Sequence, residues 1–462
     1  MTTDEKLKMM TQEPVEQLIC SLAIPTITSM LITSIYNMVD TFFVSRISTS
    51  ASGAVGVSFA LMAIIQAIGF TFGQGSGNYT SRLLGQRKKQ QAAVIVATGF
   101  FSAFGIGVLL AILGTIFLDP LVRALGATKT IAPYAKEYIR YILIGMPFMI
   151  SSFVLNHVLR FQGSAFYALM GIGFGGLLNI ILDPIFIFTL NLGIGGAAIA
   201  TIISQFISFL ILLRNCKMGG NISIQFKKFV PSWKIYQEIF HCGLPSFYRQ
   251  ILSSTAMVFL NFAAGTFGDA SVAAMSIVSR VFNFAVSITR GFAQGFQPVC
   301  GFNYGAKRYD RVYRSFWFTV TIVAIALIMA SSIGFIFAPQ IITFFRKEDL
   351  DVITIGAQAF RYYCLVMPLS AWIVPTNMFL QITTKGVEAS LLSISRQGFF
   401  FIPIILLLPR RFGLLGVQLS QPIADVFSFL LAVWIMTKML QQIKLEEHKE
   451  ISDFSKSTVT KV

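Results

Sequence analysis

Charge is what this chain has least of: charged residues make up only 12% of its 462 positions, against about 25% in a soluble domain. Such a composition leaves little chain for a soluble catalytic or regulatory module. The five cysteines, Cys20, Cys216, Cys242, Cys300 and Cys364, are odd in number and scattered, which excludes a disulfide framework and a zinc site. Three histidines, His157, His241 and His448, are too dispersed for a metal cluster. There is no Walker sequence, so ATP does not power this chain. No nucleophile–base pair stands out, which argues against an enzyme, and nothing calls for a cofactor. Segments of alternating polarity are missing too, and with them a closed β-barrel. The N-terminus, Met1 to Glu16, is polar and mixed in charge, without the pattern of a cleavable signal.

What the chain has instead is apolar length. Hydrophobic residues make up 55%, gathered in about twelve runs that each reach the ~20 residues needed to cross hydrocarbon. The spans read as 17–45, 52–80, 92–117, 132–158, 165–190, 195–214, 236–266, 270–300, 312–337, 353–382, 388–409 and 414–441. The formal charge of +16 invites a nucleic-acid partner, yet its placement points elsewhere. Arg82, Arg87, Lys88 and Lys89 fall in one loop; Arg214, Lys217, Lys227, Lys228 and Lys234 in another; Lys307, Arg308, Arg311 and Arg314 in a third. The loops between carry few or mixed charges, such as Asp119 with Arg123, or Arg346 and Lys347 with Glu348 and Asp349. Basic residues in alternate loops mark the cytoplasmic side. An even number of spans then puts both termini in the cytoplasm, and the partner is the lipid bilayer, not nucleic acid.

An internal repeat organises the chain. At an offset of 220, Pro25 meets Pro245, Gln74-Gly75 meets Gln294-Gly295, and Gly85 meets Gly305, each of the last two followed by a basic residue. The offset becomes 221 at Met146-Pro147 and Asn156, and returns to 220 at Gly193 and Gly196. The chain therefore divides into an N-terminal segment (1–16), a first half of six spans (17–214), a polar basic linker (215–235), a second half of six spans (236–441) and a polar, mobile tail (442–462). The fold class is an all-α polytopic membrane protein: twelve transmembrane helices in two six-helix bundles related by a pseudo-two-fold axis along the membrane normal. Such parallel halves can rock against each other to expose a central site alternately.

Three acids lie inside spans, where a charge costs roughly 2.5–3.5 kcal/mol on insertion scales. Asp40 follows Tyr36, and Asp183 follows Asn179, by four residues, so each pair shares a helix face. Asp183 also precedes Pro184, which disfavours helical geometry and removes an amide. Tyr36, Asp40, Asn156, Asn179, Asp183 and Thr201 read as a polar pocket of the first half. In the second half Leu260 replaces Asp40, Phe399 replaces Asn179 and Pro403 replaces Asp183, so the acids serve a task of one half and not the fold. Burial disfavours a carboxylate's charge, so the pair can hold a proton; with Asn and Thr oxygens it can equally hold Na⁺. Asp425, after Pro422, reads either as a structural partner for an interior arginine such as Arg280 or as a secondary coupling site. Gly171, Gly173, Gly175 and Gly176 mimic a dinucleotide loop, but they lie in an apolar span and predict close helix packing.

Two parallel six-span halves, the Pro25…Tyr36…Asp40 opening and the Asn179–Asp183-Pro184 run resemble the multidrug and toxic compound extrusion (MATE) family, over roughly residues 15–440. Within it, the chain is similar to the DNA-damage-inducible-F-type branch and its staphylococcal multidrug relatives. The resemblance implies two bundles around a cleft and export of amphipathic, cationic small molecules, driven by H⁺ or Na⁺ as coupling ion. It also implies that Pro25, Tyr36, Asp40, Tyr138, Asn156, Asn179, Asp183 and Thr201 form the cation and substrate pocket, with Pro25 tied to bending of the first span, in a monomer of the cell membrane. The rival expectation is a flippase of lipid-linked substrates, with Arg249, Arg280 and Arg290 in a cationic cavity.

Overall fold

A backbone in hydrocarbon must satisfy its own amides, and this chain does so with helix throughout. The computed structural model describes residues 2–346 and 349–459, so Lys347, Glu348 and the last residues of the tail, 460–462, lie outside the described residues. A short helix α1 (Thr3–Gln12) precedes the first bundle: α2 (Val15–Ser45), α3 (Thr49–Gly85), α4 (Lys89–Ile116), α5 (Leu118–Ala124), α6 (Ala132–Phe161), α7 (Ala165–Pro184) and α8 (Gly193–Asn215). The second bundle holds α9 (Trp233–Gly265), α10 (Asp269–Gly305), α11 (Tyr309–Ile336), α12 (Ala338–Phe345), α13 (Leu350–Val366), α14 (Ser370–Ile382), α15 (Gly386–Ile394), α16 (Ile402–Phe412) and α17 (Leu414–Val459). Eleven spans are long and apolar enough to cross a membrane. Helix α9, at 33 residues, is long enough as well, but Lys234, Glu238, Arg249 and Gln250 dilute it. Together they are the twelve helices in two bundles expected. The tail differs from expectation, since α17 runs on as helix to Val459.

The repeat recurs in the backbone. Helices α3 and α10 are both 37 residues long, and the short α5 has its counterpart in α12. After each of the pair the chain turns through a left-handed residue, Arg87 at φ 61° and Lys307 at φ 60°, a conformation few side chains adopt without cost. Gly163 (φ 75°) and Thr384 (φ 59°) repeat the device after the fourth span of each half. The halves also part company. Helix α6 continues through Pro147, whereas its mate breaks at Met367-Pro368-Leu369, a 3₁₀ turn between α13 and α14. Wide π-type turns follow Pro184 (Ile185–Thr189) and precede Ile402 (Ser395–Phe401). Such turns re-aim side chains and gather at functional sites.

The lobes meet at the end that carries the basic loops, and they do so symmetrically. Gly75 lies on the backbone of Ile239, while its repeat mate Gly295 lies on Ala23. Gly85 abuts the Phe302 carbonyl and Gly305 the Arg82 carbonyl; any side chain at either position would push the lobes apart, so only glycine lets these backbones touch. Gln250 Nε2 donates to Gln66 Oε1 at 3.1 Å, Gln297 Nε2 to Gln74 Oε1 at 3.3 Å, and Arg82 pairs with Glu238 at 3.5 Å across the same seam. One apolar core, including Phe72, Ile239, Phe296 and Phe302, runs through this junction. A second, around Leu260, Phe282, Phe360 and Phe401, belongs to the C-lobe alone.

Helix α1 straps the junction. Thr2 and Glu5 close a capping box on it. Lys6 Nζ donates to Ser164 Oγ at 2.6 Å and to Asn221 Oδ1, on the N-lobe side. Asn303 Nδ2 donates to the Met10 carbonyl at 2.9 Å, and Arg311 donates to the carbonyl of Glu13, which caps the helix, on the C-lobe side.

Candidate functional site

Four helices, α2, α6, α7 and α8, build the N-lobe site. Glycines on α7 bring it against its neighbours: Gly175 packs on Ser208 of α8, and a Cβ on Gly176 would stand 2.9 Å from Ile32 and 3.2 Å from Tyr36 of α2. The glycine cluster is thus a packing face, as its sequence setting predicts. It carries Asn179 and Asp183 into the same interior, and Asn179 Nδ2 donates to Asp183 Oδ1 at 3.1 Å and lies 3.5 Å from Thr201 Oγ1. Asp183 is fully buried. Its carboxyl and that of Asp40 are near enough to feel each other's charge. Tyr36 lies near Gln205, and Tyr138 near Thr201.

The electrostatic state of this cluster is open on its oxygen side. Asp40 Oδ1, Asn179 Oδ1, Asp183 Oδ2 and Ser204 Oγ are buried with no hydrogen-bond partner among the described residues. A buried acceptor left unmade costs about 1–3 kcal/mol, and four aimed into one interior ask for a shared guest: a proton, or a hard cation that takes oxygen ligands. Ser204 and Gln205 escaped the sequence reading. Their signal is the spacing from Thr201, three and four residues along α8, which puts all three on one face.

Two expected members stand apart. Pro25 lies three turns before Tyr36, about 16 Å along the axis, where the flanking Ala23 and Ile27 meet Gly295 and Gly291 of the other lobe. Asn156 Nδ2 donates to the Ala168 carbonyl at 3.3 Å, and its mate Asn377 Nδ2 to the equivalent Ala389 carbonyl at 2.8 Å. The same bond in both halves cross-links the fourth span to the fifth. Beside the cluster an apolar groove, about 820 Å³ with its mouth, runs between α2 and α7 past Ile32, Ile35 and Phe174.

The C-lobe has the opposite character. Asp425 is fully buried, and its partner is not Arg280, which is exposed, but Arg396: Nε reaches Oδ1 at 2.8 Å and a terminal nitrogen reaches Oδ2 at 3.0 Å. Gln421 Nε2 donates to Oδ1 at 2.8 Å. With both oxygens occupied, Asp425 is a structural counterion. Arg249 and Arg290 do line a cavity, together with Arg396.

Known proteins share the two-half architecture. The family model described as MatE matches residues 25–185 and again 245–406, one match for each half. The multidrug export protein MepA of Staphylococcus haemolyticus is 25% identical over 446 residues, covering 96% of this chain and 98% of its own. MepA of Staphylococcus aureus strain MRSA252 is 26% identical over 457 residues, with the same shares covered. A solved structure described as the outward-facing conformation of a multidrug resistance MATE family transporter of the MOP superfamily superposes with a TM-score of 0.88 at 26% identity, over 95% of this chain and 98% of that one. Two matched halves and twelve helices in two bundles lead to one conclusion: this chain belongs to the MATE family of multi-pass membrane transporters.

Proposed function

We infer that the protein is an ion-coupled exporter of amphipathic, often cationic compounds, with the N-lobe carboxylates as its switch. The observation that carries this reading is the set of unpartnered buried oxygens on Asp40, Asn179, Asp183 and Ser204. Their counterparts in the C-lobe include Leu260, Phe399 and Pro403, so the acids are not needed to build a bundle. H⁺ or Na⁺ entering this cluster satisfies the oxygens, cancels charge that would otherwise hold a cationic substrate, and favours one arrangement of the lobes. The groove beside it suits the apolar body of such a substrate.

The alternating motion draws on the seam. With the basic loops in the cytoplasm, the closed end faces inward and the cleft opens outward, with both termini inside; the glycine contacts are then the surfaces that separate in the opposite state. The protein works as a monomer in the cell membrane, because each chain holds both lobes of the cleft. Ethidium efflux from proteoliposomes under an imposed ΔpH or Na⁺ gradient tests the reading. Wild type should export under one of the two gradients. Asp40→Asn and Asp183→Asn should lose coupled export by about 100-fold or more, in keeping with removal of an essential proton or ion carrier. Full activity in both variants would sink the mechanism.

A further inference from the structure

Three arginines from three elements line one C-lobe cavity: Arg249 of α9, Arg290 of α10 and Arg396 of the wide turn that follows α15. Their repeat mates in the N-lobe are Ser29, Phe70 and Gly176. The halves have therefore exchanged polarity, acids on one side and guanidinium groups on the other. The cavity is not neutral. Asp425 is saturated by Arg396 and Gln421. Arg249 is bonded to the Ser246 hydroxyl alone, at 3.3 Å, and Arg290 has no hydrogen bond or ion pair among the described residues. Two half-buried guanidinium groups thus face the cavity without a counter-ion among the described residues, a charge that burial disfavours. Gln294, buried on the same wall, has a side-chain amide that can donate as well.

We propose that this cavity is an oxyanion site that takes the phosphate group of an amphipathic molecule. Guanidinium forks match phosphate oxygens in pairs, which is why arginine, not lysine, suits such a group. Ser253 and Gln397 add neutral hydrogen-bonding groups at the rim. The space, open solvent at its mouth included, is about 590 Å³. Ile373, Val374, Met378 and Leu392 wall the same cavity and suit the apolar body of such a molecule. An adjoining polar cavity shares Arg290 and Arg396 and runs past Ser279, Asn283 and Gln421; Leu260 on its wall stands where Asp40 stands in the other half. The site goes beyond the proposed cation coupling and does not depend on it.

Lysophosphatidic acid, lysophosphatidylcholine and inorganic phosphate, each titrated against the purified full chain with binding read by native mass spectrometry, test the proposal. Lysophosphatidic acid should bind, and Arg249→Gln or Arg290→Gln should weaken it about tenfold or more each, as for a lost charge-assisted bond. Arg290→Lys keeps the charge and should recover part of the affinity, which separates lost recognition from misfolding. Competition by inorganic phosphate identifies a free phosphate as the natural guest; lysophosphatidic acid binding that phosphate cannot displace identifies a lipid headgroup. Asp40→Asn should bind the probe as wild type does, so failure of the coupling mechanism and failure of this site are distinguishable. Equal binding of the zwitterionic lipid, or indifference of lysophosphatidic acid to both arginine substitutions, would overturn it.

Discussion

The two lobes are built on one frame and lined in opposite ways. Both have a fourth span tied to the fifth by an asparagine on a backbone carbonyl, both turn through a left-handed basic residue after the second span, and both offer the same glycines to the seam. Yet the N-lobe interior holds two carboxylates with oxygens to spare, and the C-lobe holds one carboxylate with none. What is shared is what a bundle needs in order to stand. What differs is free to do chemistry.

The sharpest way to break this comparison is to neutralise one acid in each lobe. Asp425→Asn leaves Arg396 buried without its counterion and should destabilise the protein by about 3–5 kcal/mol, read as a large fall in melting temperature. Asp183→Asn should silence export at nearly unchanged melting. Equal melting of the two variants would abolish the distinction between a structural and a working acid. Next in size, Gly85→Val and Gly305→Val should each destabilise the seam by about 1–3 kcal/mol through overpacking, by similar amounts because their contacts are mutual. A much larger cost in one would show that the seam is not symmetric. Asn156→Ala should cost about 0.5–1.5 kcal/mol, the worth of one buried hydrogen bond, with efflux kept, and Asn377→Ala more, because Asn377 also bonds Ser393 and Gln381. Loss of efflux in the first alone would move Asn156 from the frame into the site.

The smallest effect concerns the strap, which touches both lobes. Burial pulls the Lys6 amine down to about 8 from an ordinary 10.5, with the Cys216 thiol opposing and Lys89 adding to the fall. Undocked, Lys6 keeps its proton to higher pH than when docked. Docking of α1 should therefore tighten as pH rises from about 8 toward 10.5 and show little dependence below that window. Hydrogen exchange of the α1 amides would follow this, and Lys6→Met should remove the dependence.

Much of this was legible in the chain. Apolar length located the spans, because hydrocarbon thickness leaves few choices, and the repeat exposed the acids as additions to one half. Helix α1 was missed although its Thr2-to-Glu5 spacing is that of a capping box, since a polar ten-residue segment has no apolar stripe to announce it. The pairing of Asp425 with Arg396 was out of reach for a different reason. It joins neighbouring spans through a wide turn that rotates the register, and helical spacing along one chain cannot foresee that. Asn156 shows a different limit: a polar residue in an apolar span suggests a pocket, and only the structure shows its mate making the same bond in the other half.

The strap also fixes an order of events at the ribosome. Helix α1 precedes both bundles in the chain, yet two of its holdfasts, Asn303 and Arg311, are encoded roughly 300 residues later. At about 5–20 residues per second, the N-terminus waits roughly 15–60 s before the second bundle can receive it. The two lobes must therefore be inserted and brought together before α1 can be clasped from both sides, which makes its docking one of the last steps in biogenesis.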